Sequence, residues 1–310
     1  MMTEKLENIN IDNNMIEKNV FAAIVGKPNV GKSTLLNKMV GAKIAITSPK
    51  PQTTRNRIMG VVTNGETQYV FLDTPGFHVP KTKLGEHMVK SVRDSVSNID
   101  CALFVTYPKD EVDEIETTLL NELKASKTPT ILVMNKSDTL SDKSKGQELI
   151  KTLCAKFQFC DSALVSALTG DGLDELISLI DKHASEEPHM FPDDTLTDIP
   201  EKVIVAELIR EKLLTNLFEE LPHGCAVSIE RFKERADKPF IDIDAEILCE
   251  KESHKGMIIG KKGLMLKKIG SEARADIQEF LGCRVNLKLW VKVREDWRNK
   301  ESFIRNLGYQ

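Results

Sequence analysis

The octapeptide Gly26, Lys27, Pro28, Asn29, Val30, Gly31, Lys32, Ser33 leaves this chain few folds to choose from. The apolar run Val20 to Val25 precedes it and Thr34, Leu35, Leu36, Asn37, Lys38 and Met39 follow, which predicts a buried strand, a tight loop and a helix in that order. Two glycines let the backbone aim successive N–H groups inward, and the new helix adds its positive end. Such a loop is built to hold a polyphosphate mainly through backbone. Lys32 is then placed to reach the β- and γ-phosphates, and Ser33 to ligate Mg²⁺.

Composition narrows the setting. A length of 310 residues favours two domains, each able to bury its own core. The 43 Lys and Arg against 47 Asp and Glu exclude a protein that binds polyanions by bulk charge. Residues 201–310 carry 21 basic and 19 acidic side chains, so any nucleic-acid contact has to come from a local patch. The cysteines at 101, 154, 160, 225, 249 and 283 show no C-x-x-C spacing and read as reduced core thiols of a cytoplasmic protein. No apolar stretch approaches about 18 residues and no basic-then-apolar leader is present, which argues against export and membrane spanning. Residues 1–19, rich in Asn, Glu and Lys, are expected to form a disordered extension.

After the first helix, Ser48 to Arg55 contains two prolines and a polar run that forbid a regular element. A hydroxyl in such a loop can complete a Mg²⁺ shell and sense a γ-phosphate, and Thr54 is the candidate, with Thr53 beside it. Strands are predicted at Ile58 to Thr63 and Tyr69 to Leu72, the second running into Asp73, Thr74, Pro75 and Gly76. A carboxylate at a strand's C-terminal end faces the ligand crevice of an open α/β sheet, so Asp73 is expected to organise Mg²⁺ through water. Gly76 offers an N–H to the γ-phosphate. Lys32, Thr54 and Gly76 are therefore the expected catalytic contacts.

From Leu84 onward helices alternate with strands to His183, the rhythm of a doubly wound parallel sheet. The strand Thr130 to Met134 ends in Asn135, Lys136, Ser137, Asp138. Asp138 can accept from guanine's ring N–H and exocyclic amine, whereas adenine would leave the carboxylate unpaired. Asn135 would brace the loops and approach the purine N7, and the Lys136 stem would lie over the base. After the strand Ser162 to Val165 come Ser166, Ala167 and Leu168, where the Ala167 N–H can donate to guanine O6.

The set GKPNVGKSTLLN, PQTTR, DTPGF, NKSD and SAL, in this order over residues 20–183, resembles the Era family of translation-associated GTPases. The resemblance implies Mg²⁺-dependent GTP hydrolysis to GDP and phosphate. Phe77 stands where Ras-like enzymes carry a water-orienting glutamine, so slow intrinsic turnover is expected. Asn29 matches the P-loop asparagine associated with potassium activation in similar GTPases, which implies K⁺ as a second ion.

Residues 185–200 hold three prolines and no periodicity and are expected to be a linker between a GTPase domain, 20–184, and a smaller α+β domain, 201–310. In the second domain, Gly260, Lys261, Lys262 and Gly263 form a GxxG loop between a short apolar turn, Met257 to Ile259, and a helix whose apolar set is Leu264, Leu266, Ile269, Ala273 and Ile277. Residues 251–268 contain six Lys and one Glu, a local basic patch. Two glycines admit a nucleic-acid backbone, the lysines meet phosphate, and apolar neighbours floor a groove for single-stranded bases. The candidate RNA contacts are Lys255, Gly256, Ile259, Gly260, Lys261, Lys262, Gly263 and Lys267. The α-β-β-α-α-β order resembles a type II KH domain, the C-terminal half of Era proteins. By that resemblance the partner is small-subunit ribosomal RNA near its 3′ end, in maturation of the small ribosomal subunit, with a monomeric chain and some peripheral association with the inner face of the cell membrane. Two readings stay open beside it: a signalling GTPase whose basic surface meets a protein or an acidic membrane, and an ATP-driven enzyme, which Asp138 disfavours. In the tail, Trp297 and Phe303 are expected to pack inward, with base stacking by Trp297 as the alternative.

Overall fold

The computed structural model describes residues 16–96, 99–109 and 111–309. Most of the expected extension, residues 1–15, therefore lies outside the described residues. Its last two positions do not belong to it: the first strand, β1, runs Lys18–Val25, and Asn19 bridges Ser185.

β1 leads through the glycine-rich loop to α1 (Lys32–Val40). Then come β2 (Ile58–Asn64), β3 (Thr67–Asp73), α2 (Lys83–Ser95), β4 (Cys101–Thr106), α3 (Glu114–Ser126), β5 (Thr130–Met134), α4 (Lys143–Lys156), β6 (Asp161–Leu164) and α5 (Leu173–Asp181). The six strands form one sheet in the order β2-β3-β1-β4-β5-β6. Four of its five pairings are parallel; β2 runs antiparallel to β3, because Gly65, at φ 61°, and Glu66 close a two-residue hairpin. The expected parallel sheet thus carries one reversed edge strand. Of the cysteines expected in the core, Cys101, Cys225 and Cys249 are buried, whereas Cys154 on α4 and Cys160 before β6 are exposed.

Alternation along β1 divides the core. Ala22 and Ile24 meet Leu35 and Leu36 of α1 and Leu176 and Ile180 of α5, while Ala23 and Val25 face α2, α3 and α4. A strand apolar on both faces is what a sheet covered by helices on both sides requires. All strand C-termini of the parallel set then open onto the edge that holds the glycine-rich loop.

The second domain contains α6 (Glu201–Asn216), β7 (Ala226–Glu234), β8 (Phe240–Cys249), α7 (Glu252–Ile259), α8 (Leu264–Leu281), β9 (Arg284–Val293) and α9 (Glu301–Asn306). Its sheet has the order β7-β8-β9, the first pair antiparallel and the second parallel. Ile241, Ile243, Ala245 and Ile247 of β8 face α6 and α8, while Asp242 and Glu246 face outward and pair with Arg235 at 2.7 Å and Lys292 at 3.2 Å. The expected apolar turn at Met257 to Ile259 is instead the last turn of α7, which Gly260 terminates with a positive φ.

The two domains touch over a broad front. Ile46, from the loop after α1, enters the core of the second domain. Leu84 and Met88 of α2 pack with Trp297, Ile304 and Tyr309, and the fully buried Trp297 donates its indole N–H to the Gly224 carbonyl at 2.9 Å. That placement removes Trp297 from any base-stacking role. Residues 185–200 lack regular structure but are fastened to the first sheet: Val61 N–H donates to Leu196, and Thr197 donates to the Met59 carbonyl at 2.6 Å.

Candidate nucleotide site and nucleic-acid groove

At the end of β1 the glycine-rich loop turns through Gly26 (φ 152°) and Gly31 (φ 98°). A Cβ on Gly26 would stand 2.4 Å from the Val105 carbonyl oxygen, and one on Gly31 would stand 2.3 Å from the Asn135 amide. Only glycine fits at either position. Asn29 adopts a left-handed conformation (φ 65°); its amide donates to the Pro49 carbonyl at 2.8 Å, and its own carbonyl accepts from Lys136 at 2.7 Å. Pro28, Lys32, Ser33, Thr34, Thr54 and Gly76 line one cleft, while Val30 is buried beneath it. Thr74 is buried and donates to the Ile24 carbonyl at 2.9 Å, fixing the start of the turn that carries the buried Pro75.

Three oxygen-bearing side chains meet at the floor of the cleft. Ser33 donates to Asp73 at 2.6 Å, Thr54 lies 2.7 Å from the Ser33 hydroxyl, and Thr54 is 3.5 Å from the same carboxylate. Thr53 instead turns away and donates to the Lys50 carbonyl at 2.7 Å. The second oxygen of Asp73 is buried with no partner among the described residues. Two hydroxyls and a carboxylate with one unpartnered oxygen are a donor set suited to a hard cation such as Mg²⁺. Burial pushes the Asp73 carboxyl up to about 6, against the pull of Lys32 and the two hydroxyls. Burial also lowers the Lys32 ammonium to about 8, with Asp73 opposing, and Lys32 donates to the carbonyls of Gly26 (3.2 Å) and Lys27 (2.9 Å).

Gly76 packs flat on Pro28, where a Cβ would come within 2.7 Å. Phe77 donates its N–H to the Gly26 carbonyl at 3.1 Å and buries its ring in the core between sheet and helices, so it presents no polar group to the cleft.

A second cluster lies where β5 and β6 end. Asn135 donates to the Val30 carbonyl and accepts from the Ala167 N–H, each at 2.9 Å, tying three loops together. The Ala167 N–H, expected to face a guanine carbonyl, is thus engaged within the protein. Ser166 donates to the exposed Asp138 at 2.6 Å, and Leu168 is exposed. The ammonium of Lys136 lies 5.4 Å from the centre of the Tyr107 ring.

Sequence reasoning passes over the support behind the loop. Lys27 pairs with Asp113, whose side chain caps α3 in a capping box with Glu116. The hydrogen bond from Lys27 to Asp113 raises the lysine's affinity for its proton. The D-x-x-E spacing of Asp113 and Glu116 is the available signal.

At the far end of the second domain the GxxG turn uses three positive φ angles: Gly260 (70°), Lys262 (52°) and Gly263 (75°). Lys261, Lys262 and Lys267 are exposed, Lys255 and Ile259 are half-buried, and Gly256 faces open space. Periodicity groups Leu264 with the buried side of its helix, but the structure leaves it 64% exposed, next to the 60% exposed Met257. Met257 stands in the last turn of α7 and Leu264 opens α8, so each flanks the loop from one side, with the exposed Lys261 and Lys262 between them in sequence.

The comparisons with known proteins agree with this geometry. The family model for 50S ribosome-binding GTPases matches residues 21–136, and the KH-domain model matches residues 220–298. GTPase Era of Clostridioides difficile (strain 630) is 51% identical over 292 residues, spanning 94% of this chain and 98% of that protein. The chain belongs to the Era family of GTPases. Another member, GTPase Era of Caldanaerobacter subterraneus subsp. tengcongensis, is 49% identical over 289 residues, 93% of this chain and 97% of that protein. A crystal structure of Era in complex with MgGDPNP and nucleotides 1506–1542 of 16S ribosomal RNA superposes with a TM-score of 0.91 at 39% identity, covering 94% of this chain and 99% of that one. An Aquifex aeolicus Era variant bound to GDP·AlF4⁻ gives the same TM-score at 40% identity, again covering 94% of this chain and 99% of that one. As an Era-family protein the chain is a GTP hydrolase built from a GTPase domain and a KH domain. Among the described residues no helix is long and apolar enough to cross a membrane.

Proposed function

We propose that this chain is a GTP-driven switch that binds small-subunit ribosomal RNA near its 3′ end and acts in maturation of that subunit. The observation that carries the reading is a GxxG turn with left-handed backbone, flanked by exposed lysines and two exposed apolar side chains, on the same chain as the Ser33, Thr54 and Asp73 cluster. The related Era structure that contains 16S ribosomal RNA nucleotides supports the choice of RNA.

In the GTPase domain, residues 20–184, Gly26 to Thr34 wrap the phosphates with backbone N–H groups, and Lys32 pairs with the β- and γ-phosphates. Ser33, Thr54 and Asp73 hold Mg²⁺, directly or through water. When bound, the ion would supply positive charge against the charge on the phosphates. The Gly76 N–H donates to a γ-phosphate oxygen, and Asp73, Thr74 and Pro75 shape the turn that presents it. Asp138 accepts the two donors of guanine, Lys136 covers the base, and Asn135, Ser166, Ala167 and Leu168 frame it. Asn29 is assigned to a K⁺ ion, which would supply charge that the apolar Phe77 does not. In the second domain, 201–310, Lys255, Gly256, Ile259, Gly260, Lys261, Lys262, Gly263 and Lys267 receive single-stranded RNA. The chain acts as a cytoplasmic monomer, and the exposed lysines give it a peripheral affinity for the inner face of the membrane, which cosedimentation with anionic liposomes would test.

The deciding experiment measures GTP turnover in K⁺ buffer with and without a single strand from the 3′ end of small-subunit ribosomal RNA, with a scrambled RNA and Gly260→Asp alongside. Turnover that responds to the cognate strand alone, and loses that response in Gly260→Asp, is the expected result. Indifference to RNA would leave a GTPase whose basic surface serves another partner.

A further inference from the structure

Thr54 sits in the nucleotide cleft, yet the residues on either side of it are held by the other domain. The Thr53 carbonyl accepts a hydrogen bond from Arg210 of α6, a fully buried guanidinium steadied by Glu207 at 2.8 Å. On the other side, the Arg55 guanidinium donates to the Cys225 carbonyl at 2.7 Å and to the His223 carbonyl at 2.8 Å. Its carbon lies 5.7 Å from the ring centres of both Trp297 and Tyr309. Earlier in the same loop, the Thr47 N–H donates to Glu211 of α6 at 2.9 Å.

Arg55 is only 4% exposed, and among the described residues no carboxylate lies within ion-pair distance of it. A buried cation that binds backbone carbonyls and aromatic faces is matched in shape, through a planar fork that lysine lacks. Consecutive Cα atoms are about 3.8 Å apart, so a chain anchored at 53 and 55 leaves residue 54 almost no slack. Mg²⁺ tolerates little error in its oxygen distances, which stay near about 2.1 Å.

We propose that Arg55 is a positioning residue for the GTPase reaction: gripped by the second domain, it sets where the Thr54 hydroxyl stands, so the placement of the RNA-binding domain is read directly at the magnesium and γ-phosphate position. Arg210 grips the other side of the same residue. The inference rests on Thr54 acting as a magnesium ligand, and the experiment separates the two claims. The second domain then acts on the GTP-bound state and leaves GDP binding nearly untouched, because GDP has no γ-phosphate for Thr54 to meet.

The test uses the full chain and equilibrium binding. Affinity for a non-hydrolysable GTP analogue and for GDP is measured while Mg²⁺ is titrated, in wild type, Arg55→Lys, Arg210→Met and Thr54→Ala. Arg55→Lys and Arg210→Met are each expected to raise the Mg²⁺ concentration for half-maximal analogue affinity by about fivefold or more, the usual scale of coupling between sites, with GDP affinity within about twofold of wild type. The proposal is overturned if Thr54→Ala shifts the Mg²⁺ dependence while Arg55→Lys and Arg210→Met do not. It is equally overturned if GDP affinity falls in step with analogue affinity, since that marks a damaged fold. Should Thr54→Ala itself leave the Mg²⁺ dependence unchanged, the assignment of Thr54 fails first and the proposal falls with it.

Discussion

Replacing Asp73 with asparagine should make the metal-free, nucleotide-free protein more stable at neutral pH while destroying its use for Mg²⁺. Asp73 is fully buried, and one of its oxygens has no partner among the described residues. Its carboxyl is raised from 3.8 to about 6, chiefly by burial. A group that holds its proton more tightly when folded favours folding at low pH and loses that advantage as pH climbs from the unfolded value toward the folded one. A rise of that size corresponds to about 3 kcal/mol of lost stability once pH is well above 6. The asparagine amide carries no charge and keeps the shape, so Asp73→Asn should gain about 2–3 kcal/mol at pH 7.5 and only about 1 kcal/mol at pH 4.5, where most native molecules already hold the proton. Urea unfolding in EDTA, followed by far-ultraviolet circular dichroism and by amide exchange of β3, reads this out; both tryptophans, 290 and 297, lie in the second domain and would report on the other half. Saturating Mg²⁺ and GTP should reverse the order, because only the wild type gains the full stabilisation of a bound ligand. Were Asp73→Asn destabilising in EDTA at pH 7.5, Lys32 and the two hydroxyls would outweigh burial, and the reading of the site as strained without its ligands would be wrong.

Three further outcomes follow from the same geometry. Asp138→Asn should weaken GTP binding by about a hundredfold or more and improve xanthine nucleotides, measured by competition, because the amide no longer accepts both guanine donors. Hydrolysis should run faster in K⁺ than in Na⁺, and Asn29→Ala should abolish the difference; equal rates in both salts for the wild type would remove K⁺ from the site. Gly26→Ala, which drives a methyl to 2.4 Å from the Val105 oxygen at a φ of 152°, should cost about 2 kcal/mol or more of stability and most nucleotide affinity, read by thermal unfolding and analogue binding.

The sequence is most readable where chemistry demands a fixed spacing. The glycine-rich loop, Asp73 at a strand end and the Asn135 to Asp138 run all stand within short windows, so their relative placement follows from local backbone. β8, with apolar residues at every second position, and α8, with Ile269, Ala273 and Ile277 inward, follow the elementary periods of strand and helix. What stays hidden needs contacts across long separations. Arg55 reads as one more polar residue of an irregular loop, and only the fold reveals it 170 residues from its carbonyl partner at Cys225. Leu264 departs from its pattern for a related reason: helical period says which residues share a face, but not where along the helix the neighbouring sheet stops. The Ala167 N–H likewise finds a partner in Asn135 that no local pattern announces.

The segment between the domains has a consequence for how they can move. It is strapped to the first sheet as far as Thr197, and α6 begins at Glu201. Only Asp198, Ile199 and Pro200 lie between them, about 14 Å of fully extended chain from Thr197 to Glu201, and Ile199 packs against the cores of both domains. At that length each domain meets the other at a local concentration in the millimolar range or above, whatever the dilution of the protein. While the strap holds, the two domains therefore stay within contact range of each other. RNA and nucleotide then act on one short hinge, whose angle the contacts between the domains select.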